Sequence, residues 1–196
     1  MTRAPSRRVL GDLVDIASGA VPAKPTDDPH GEPFVGIAEI SAGGAASPRH
    51  VGLDDVPPGA SRLQIGDVAV ALMSSIGSSL LVSHRHEGAV LGRECAVLRS
   101  RTPEATGPWL YVWTQSEDFA QQVERSLTGT TMPRLNRRAL SQFTVPLPDL
   151  ERQLKAQAVI ADFDEALAKA GRVLADLSEL RRIELQLITA ELEVSL

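Results

Sequence analysis

The sequence is poor in the residues that build disulfide frameworks and thiolate metal sites. Cys95 is the only cysteine among 196 residues, which excludes an intramolecular disulfide and any multi-cysteine metal site. Its apolar neighbours predict a small core residue in a strand. No apolar run reaches the ~20 residues needed to span a bilayer, and the first residues lack the apolar segment of a signal peptide. These absences predict a cytoplasmic protein.

Proline is missing from the last quarter of the chain, and glycine is nearly so. All 13 prolines lie before residue 149, and Gly171 is the only glycine after it. Because proline breaks helices, the distribution predicts one helix over residues 149–196, with Asp149 as its N-cap. At 1.5 Å per residue the helix would be about 70 Å long. That length exceeds the diameter expected for a domain of 148 residues, so we expect the helix to extend beyond the domain.

The apolar residues of this predicted helix recur at a seven-residue spacing. Those predicted to face a partner are Val159, Phe163, Leu167, Val173, Leu174, Leu177, Leu180 and Leu187. The stripe is wider than the two-column seam of a simple dimer, which favours packing against more than one surface. The pattern predicts a coiled coil with a partner; the alternative is an amphipathic helix folded back on its own domain.

The net charge of −5 is unevenly distributed. Residues 1–148 carry 14 basic and 15 acidic side chains, whereas residues 149–196 carry 6 and 10. Arginine supplies 17 of the 20 cations, which suits bidentate recognition of phosphate or guanine; a GC-rich genome gives the same bias and is the simpler cause. The overall charge argues against a non-specific nucleic-acid binder, so any nucleic-acid surface must be local.

Short apolar segments separated by glycine and proline predict an α+β domain over residues 1–148. Arg3, Arg7 and Arg8 are expected to lie in a mobile terminus. The predicted helices cover residues 9–16, 108–113, 117–127 and 136–141, and the predicted strands cover residues 34–40, 68–72, 80–82, 88–91, 95–98 and 143–145. The predicted fold is therefore a domain of short mixed strands and helices, followed by one long helix over residues 149–196.

No set of residues carries a catalytic pattern. His84 and His86 form an i, i+2 pair without the spacing of a metal site, and the serines near them lack the Gly-x-Ser-x-Gly elbow of a hydrolase. The phosphate-binding Gly-rich loop and the adenine methyltransferase loop are also missing. The sequence therefore predicts a protein that is not an enzyme and has no metal or cofactor.

One dense basic patch follows a small polar loop. Gly129, Thr130 and Thr131 offer backbone N–H groups and hydroxyls, which suit phosphate. The cations and the amide that follow are Arg134, Asn136, Arg137 and Arg138. The alternative is an ordinary solvated loop.

Several motifs, in order along the chain, resemble the DNA specificity subunits of type I restriction–modification enzymes. Near the end of the domain, Gly129-Thr130-Thr131 precedes a short helix, the turn Val145-Pro146-Leu147-Pro148, and Glu151-Arg152-Gln153 at the start of the long helix. Earlier, Leu10-Gly11-Asp12 through Gly19 is similar to the opening helix of the family. Gly66-Asp67-Val68 through Ile76-Gly77 is similar to its Gly-Asp strand and small-residue loop.

The resemblance implies a target-recognition domain that reads double-stranded DNA and recruits an adenine-specific DNA methyltransferase subunit. Lys24 is similar to a position near the DNA face of the family, and polar residues on the loops between strands become candidates for readout. The full set of candidate DNA-binding residues is Lys24, Arg49, Ser75, Ser78, His84, Arg85, Arg93, Thr130, Thr131, Arg134, Asn136 and Arg137.

The sequence departs from the family pattern in two ways. Family members usually carry two recognition domains and two spacer helices, whereas this chain has one of each, which predicts a homodimer. The loop after the Gly-Asp strand often carries an arginine, and here it reads Met73-Ser74-Ser75. Two functions therefore stay open: a DNA-reading subunit, and a regulatory or decoy half-subunit that pairs through its helix without binding DNA.

Overall fold

The structure, a computed structural model, describes residues 6–26, 28, 30–43, 47–129 and 131–194. The chain divides into two compact units, Met1–Ala158 and Val159–Leu196. The division falls ten residues after the proposed functional boundary at 148/149, because the first turns of the long helix belong to the first unit. None of the described helices is long and apolar enough to cross a membrane.

Short strands and helices build the first unit, as the sequence predicts. The strands are β1 (Ser6–Val9), β2 (Val14–Ser18), β3 (Pro25–Thr26), β4 (Glu32–Val35), β5 (Arg49–Val51), β6 (Val68–Ala71), β7 (Ser79–Leu81), β8 (Val90–Leu91), β9 (Cys95–Ser100) and β10 (Thr144–Leu147). The helices are α1 (Leu10–Leu13), α2 (Ile37–Ala42), α3 (Gly107–Thr114), α4 (Glu117–Ser126), α5 (Arg137–Ser141) and α6 (Leu150–Val194). The α+β class with a long C-terminal helix is confirmed.

A four-stranded sheet in the order β2-β9-β6-β7 forms the centre of this unit. Alternate residues of β6 face opposite sides: Val68 and Val70 join one apolar cluster, and Ala69 and Ala71 join another. A sheet buried on both faces has strands that are apolar throughout, which explains the unbroken apolar run in β6. Cys95, at the start of β9, is fully buried as predicted.

A second four-stranded sheet, in the order β3-β5-β4-β8, packs beside the first, and β1 pairs with β10. The expected mobile terminus is therefore wrong for Arg7 and Arg8, because β1 is a paired strand. Arg7 binds both carboxylate oxygens of Asp118 at 2.9 Å, and Arg8 binds Glu104. Arg3 lies outside the described residues.

Two predicted segments change structure partway along. The helix predicted over residues 9–16 ends at Leu13, and β2 follows because Val14–Ser18 pairs with β9. The strand predicted over residues 34–40 ends at Val35. There the Glu39 carboxylate accepts a 2.8 Å hydrogen bond from the Gly36 N–H, an arrangement that starts a helix.

Helix α6 begins as the sequence predicts. Asp149 caps it by accepting a hydrogen bond from the Arg152 N–H at 3.0 Å. Gln153 is buried: its amide nitrogen donates to the carbonyls of Glu104 and Pro148, and its oxygen accepts from the Thr106 N–H. These bonds hold the first turn of α6 in the first unit.

In the second unit α6 continues with large apolar side chains in solvent. Seven of the eight residues predicted to face a partner have between 50% and 66% of their surface exposed to solvent: Val159, Phe163, Leu167, Val173, Leu174, Leu177 and Leu180. Leu187 lies in the helix, but its side chain is outside what the structure describes. That a partner packs on this stripe stays a prediction.

Candidate nucleic-acid interface

Three loops meet at one end of the central sheet, and they hold most of the predicted DNA-binding residues. They are residues 73–78 after β6, residues 92–94 before β9, and residues 127–136 between α4 and α5. Backbone hydrogen bonds of 2.9 Å join them: the Leu72 N–H donates to Glu94, and the Leu135 N–H donates to Leu72. We call this group the loop cluster.

The segment after β2 extends the loop cluster on one side. The Arg93 N–H donates to the Val21 carbonyl at 2.9 Å. Gly19 passes so close to Gly92 that a β-carbon added at Gly19 would lie 2.0 Å from the Gly92 carbonyl oxygen. Only glycine allows this approach, which accounts for the glycine that the sequence places after its opening helix and strand.

The loop at residues 73–78 is held tightly against α4. Its Gly77, at φ +86°, faces the side chains of Val123 and Phe119. Ser74 has φ +58°, the only positive value among described residues other than glycine. A left-handed serine costs about 1 kcal/mol, and such strain concentrates at functional sites. No sequence pattern predicts this left-handed conformation at Ser74.

The loop at residues 127–136 forms a narrow turn. Thr128 and Arg134 exchange two backbone hydrogen bonds, of 3.1 and 3.0 Å. Leu135 is 2% exposed and anchors the loop in the core. Asn136 caps α5, as predicted, by accepting a 2.8 Å hydrogen bond from the Ala139 N–H, so its side-chain oxygen is already engaged. Thr130 lies outside the described residues.

The cations of this turn and of α5 differ from most other described cations of the domain, because no described carboxylate pairs with them. No carboxylate of the described residues pairs with Arg134, Arg137 or Arg138, and all three are exposed. By contrast, ion pairs engage Arg7, Arg8, Lys24, Arg49, Arg62, Arg93, Arg99 and Arg101. Uncompensated positive charge therefore gathers on residues 134–138, despite the negative net charge of the chain.

Three of the predicted cations are paired in the structure. Arg49 binds Glu39, whose carboxylate is only 4% exposed, so this guanidinium neutralises a buried charge. Lys24 lies 3.3 Å from Asp55, and Arg93 lies 3.3 Å from Glu94. The pairs of Lys24 and Arg93 are exposed, and surface pairs of this kind contribute ~0–1 kcal/mol. Lys24 and Arg93 can exchange their partners for phosphate at low cost, whereas Arg49 cannot.

His84 and Arg85 lie at the other end of the sheet from the loop cluster. They follow β7, whose Leu81 pairs with Val68 at the start of β6, whereas Ser75 and Ser78 follow the end of β6. The structure therefore brings together Ser75, Ser78, Arg93, Thr131, Arg134 and Asn136, and separates His84 and Arg85 from them. Arg137 follows in α5, where its guanidinium lies 3.4 Å from the Ile16 carbonyl oxygen in β2.

The thiol of Cys95, beside the loop cluster, is fully buried. Burial raises the pKa of Cys95 to about 12, with Glu94 and Glu39 adding to the effect, so the thiol stays protonated. No group of three or more metal-ligating side chains occurs in the part of the chain that the structure describes.

Residues 7–174 match the family described as the type I restriction modification DNA specificity domain. This match covers well over half of the sequence. The chain belongs to this family. No curated protein sequence matches the chain.

Solved structures of type I systems share the fold. A chain from a study of complex assembly and conformational transition in a type I R-M system aligns with a TM-score of 0.62 and 23% identity, covering 94% of this chain and 44% of that one. The HsdS subunit from Thermoanaerobacter tengcongensis gives 0.59 and 22%, over 87% and 40%. The S subunit from M. genitalium gives 0.57 and 16%, over 82% and 39%. This chain therefore spans less than half the length of these relatives.

Proposed function

We propose that this chain is a DNA-reading specificity subunit that recognises a half-site through the loop cluster and does no chemistry itself. The observation that carries the proposal is the group of three exposed arginines, Arg134, Arg137 and Arg138, without acidic partners among the described residues. Phosphate contacts position a protein on duplex DNA and base contacts specify the sequence. The arginines would contact phosphates, and the polar residues of the adjoining loops would face the bases.

The proposal includes a second copy of the chain and an adenine-specific methyltransferase subunit as partners. An exposed stripe on α6 from Val159 to Ile188 is too long to be a scatter of single apolar residues, and contiguous apolar surfaces mark interaction sites. A second copy would supply the second recognition domain, and the methyltransferase would supply the chemistry. The working compartment would be the cytoplasm, where the chromosome of a bacterial cell lies.

Salt-dependent binding to duplex DNA tests the proposal. Each lost phosphate contact lowers the slope of log K against log salt by about 1. We expect Arg134→Ala and Arg137→Ala to weaken binding to all sequences and to flatten this slope. Arg101→Ala is the matched control, because Arg101 lies at the opposite end of β9 and pairs with Asp15. Unchanged affinity and slope in both loop variants would move the DNA face elsewhere.

A regulatory or decoy half-subunit is the second candidate. The negative net charge and the serines at 74 and 75, where the family often carries arginine, favour it. Such a protein would pair through α6 and compete with a full specificity subunit. It predicts no salt-dependent DNA binding by the wild-type chain, so the same titration separates the two candidates.

A further inference from the structure

Met132 is the most exposed large apolar side chain that the structure describes, with 71% of its surface in solvent. Single exposed apolar residues are common on protein surfaces, so exposure alone means little. The position of Met132 is what distinguishes it. It lies in the turn of the loop cluster, between Thr131 and Pro133, and packs against none of the apolar clusters that the described residues form.

The backbone around Met132 is held at both ends. Thr128 and Arg134 close the turn with their two hydrogen bonds. Gly129, at φ +91°, lets the chain fold back so that a β-carbon there would lie 2.8 Å from the Met132 carbonyl oxygen. Pro133 fixes its own φ beside Met132. Met132 is therefore carried on a turn that the bridge between Thr128 and Arg134 closes.

The surroundings of Met132 specify a partner that is anionic and yet offers an apolar group. Arg134 follows it after one residue, and Arg137 lies on the next helix, both without acidic partners among the described residues. The major groove of DNA is wide enough to admit an α-helix or a two-stranded ribbon, and the C5-methyl of thymine is the apolar group on its base edges. Arginines on phosphates would place the flexible methionine against that methyl.

We propose that Met132 reads the C5-methyl group of a thymine in the major groove and thereby sets one position of the recognised sequence. This inference rests on the proposed DNA-reading function. It assigns to one apolar side chain the choice of thymine over cytosine, since cytosine lacks the methyl group.

The test uses the full chain and a duplex that it selects from a pool of random DNA. Each thymine of the selected duplex is replaced in turn by uracil, which removes the methyl and keeps the hydrogen-bonding edge. Burial of one methyl is worth ~0.8 kcal/mol, which is about fourfold in affinity. We expect one uracil substitution to weaken wild-type binding about fourfold and to have no effect on Met132→Ala, so that the two changes are not additive.

Two further variants sharpen the test. Met132→Gln keeps the chain length and replaces the apolar end, so it should also lose the preference for thymine over uracil. Ile65→Ala is the matched control: Ile65 is 47% exposed and precedes β6, at the end of the sheet opposite the loop cluster, so the preference should remain. Circular dichroism spectra identical to that of the wild type confirm that the variants are folded.

The inference is overturned if no uracil position weakens wild-type binding, or if the fourfold loss persists in Met132→Ala. An equal loss for thymine and uracil duplexes in Met132→Ala would also overturn it, because the methionine would then act as a wedge between bases rather than as a reader of the methyl. A chain that selects no sequence at all would instead refute the proposed function, and this inference with it.

Discussion

The backbone N–H of Leu135 lies 2.9 Å from the backbone carbonyl oxygen of Leu72 and donates a hydrogen bond to it. This bond joins the loop at residues 127–136 to the start of the loop at residues 73–78, and the side chains of Leu72 and Leu135 are both buried. Leu135→Ala should lower the free energy of unfolding by about 2–5 kcal/mol, because it opens a cavity where the two loops meet. Urea unfolding measures the loss. Leu127→Ala, in the same loop but 37% exposed, should cost far less; equal costs would mean that Leu135 is not an anchor.

Gln153 should be more important to the stability of the first unit than its place on a helix surface suggests. Removing its amide leaves the Thr106 N–H and the carbonyls of Glu104 and Pro148 without this partner. Buried groups left unpaired cost about 1–3 kcal/mol each, so Gln153→Ala should lower the free energy of urea unfolding by about 2–4 kcal/mol. Gln157→Ala, one turn later and exposed, is the control and should change it by less than about 0.5 kcal/mol.

Asp118 should make stability depend on pH in the acid range. Burial pushes its pKa up, but hydrogen bonds from Trp113, Arg7 and Gln122 outweigh this, so the pKa lies below its usual value. A lowered carboxylate pKa stabilises the native state above the ordinary pKa, and this stabilisation disappears as pH falls through the native one. Because the Asp118 side chain is 40% exposed, solvent screens its charge, and Asp118→Asn should cost only about 0.5–1 kcal/mol at pH 7.

Urea unfolding at several pH values checks the Asp118 prediction. The difference between wild type and Asp118→Asn should be constant near neutrality and shrink below about pH 4. Asp54→Asn, at an exposed position in the 3-10 helix, should show no such change. A difference that stays the same down to pH 2 would mean that the Asp118 charge contributes nothing.

The exposed stripe of α6 should hold two copies of the chain together. Leu174 and Leu180 are 65% and 57% exposed, and burying a leucine is worth roughly 1.5–3 kcal/mol per copy. Leu174→Asp with Leu180→Asp should give a monomer in sedimentation, with the first unit still folded. Ala161→Asp with Ala175→Asp adds the same charge beside the stripe and should leave the dimer intact. A double leucine variant that stays dimeric would place the interface elsewhere.

The sequence predicts correctly those elements that depend only on residues close together in the chain. The cap at Asp149, the cap at Asn136 and the buried run in β6 follow from neighbouring residues alone, and the structure confirms them. The turn into α2 was also readable in principle: Gly36 followed by Glu39 three residues later is a helix start, but the apolar residues between them favoured a strand.

Contacts between distant residues explain what the sequence did not reveal. Arg7 and Asp118 are 111 residues apart, and β1 pairs with a strand near the other end of the domain, so nothing local distinguishes β1 from a loose terminus. Contacts between distant residues also decide which arginines have acidic partners. Arg49 and Arg134 look equally available in the sequence, and only the folded chain gives one of them a buried partner, Glu39.

Methylation mapping in cells that express this chain with its methyltransferase subunit, and no other specificity subunit, tests the central claim most directly. Two identical copies related by a two-fold axis must read identical half-sites in inverted orientation. We predict methylation of both strands at a gapped palindrome, with the half-sites about one to two helical turns apart at ~34 Å per turn, and its disappearance when the chain is deleted. A target with two unrelated halves would contradict the homodimer, and methylation that does not depend on the chain would contradict its role as the DNA-reading subunit.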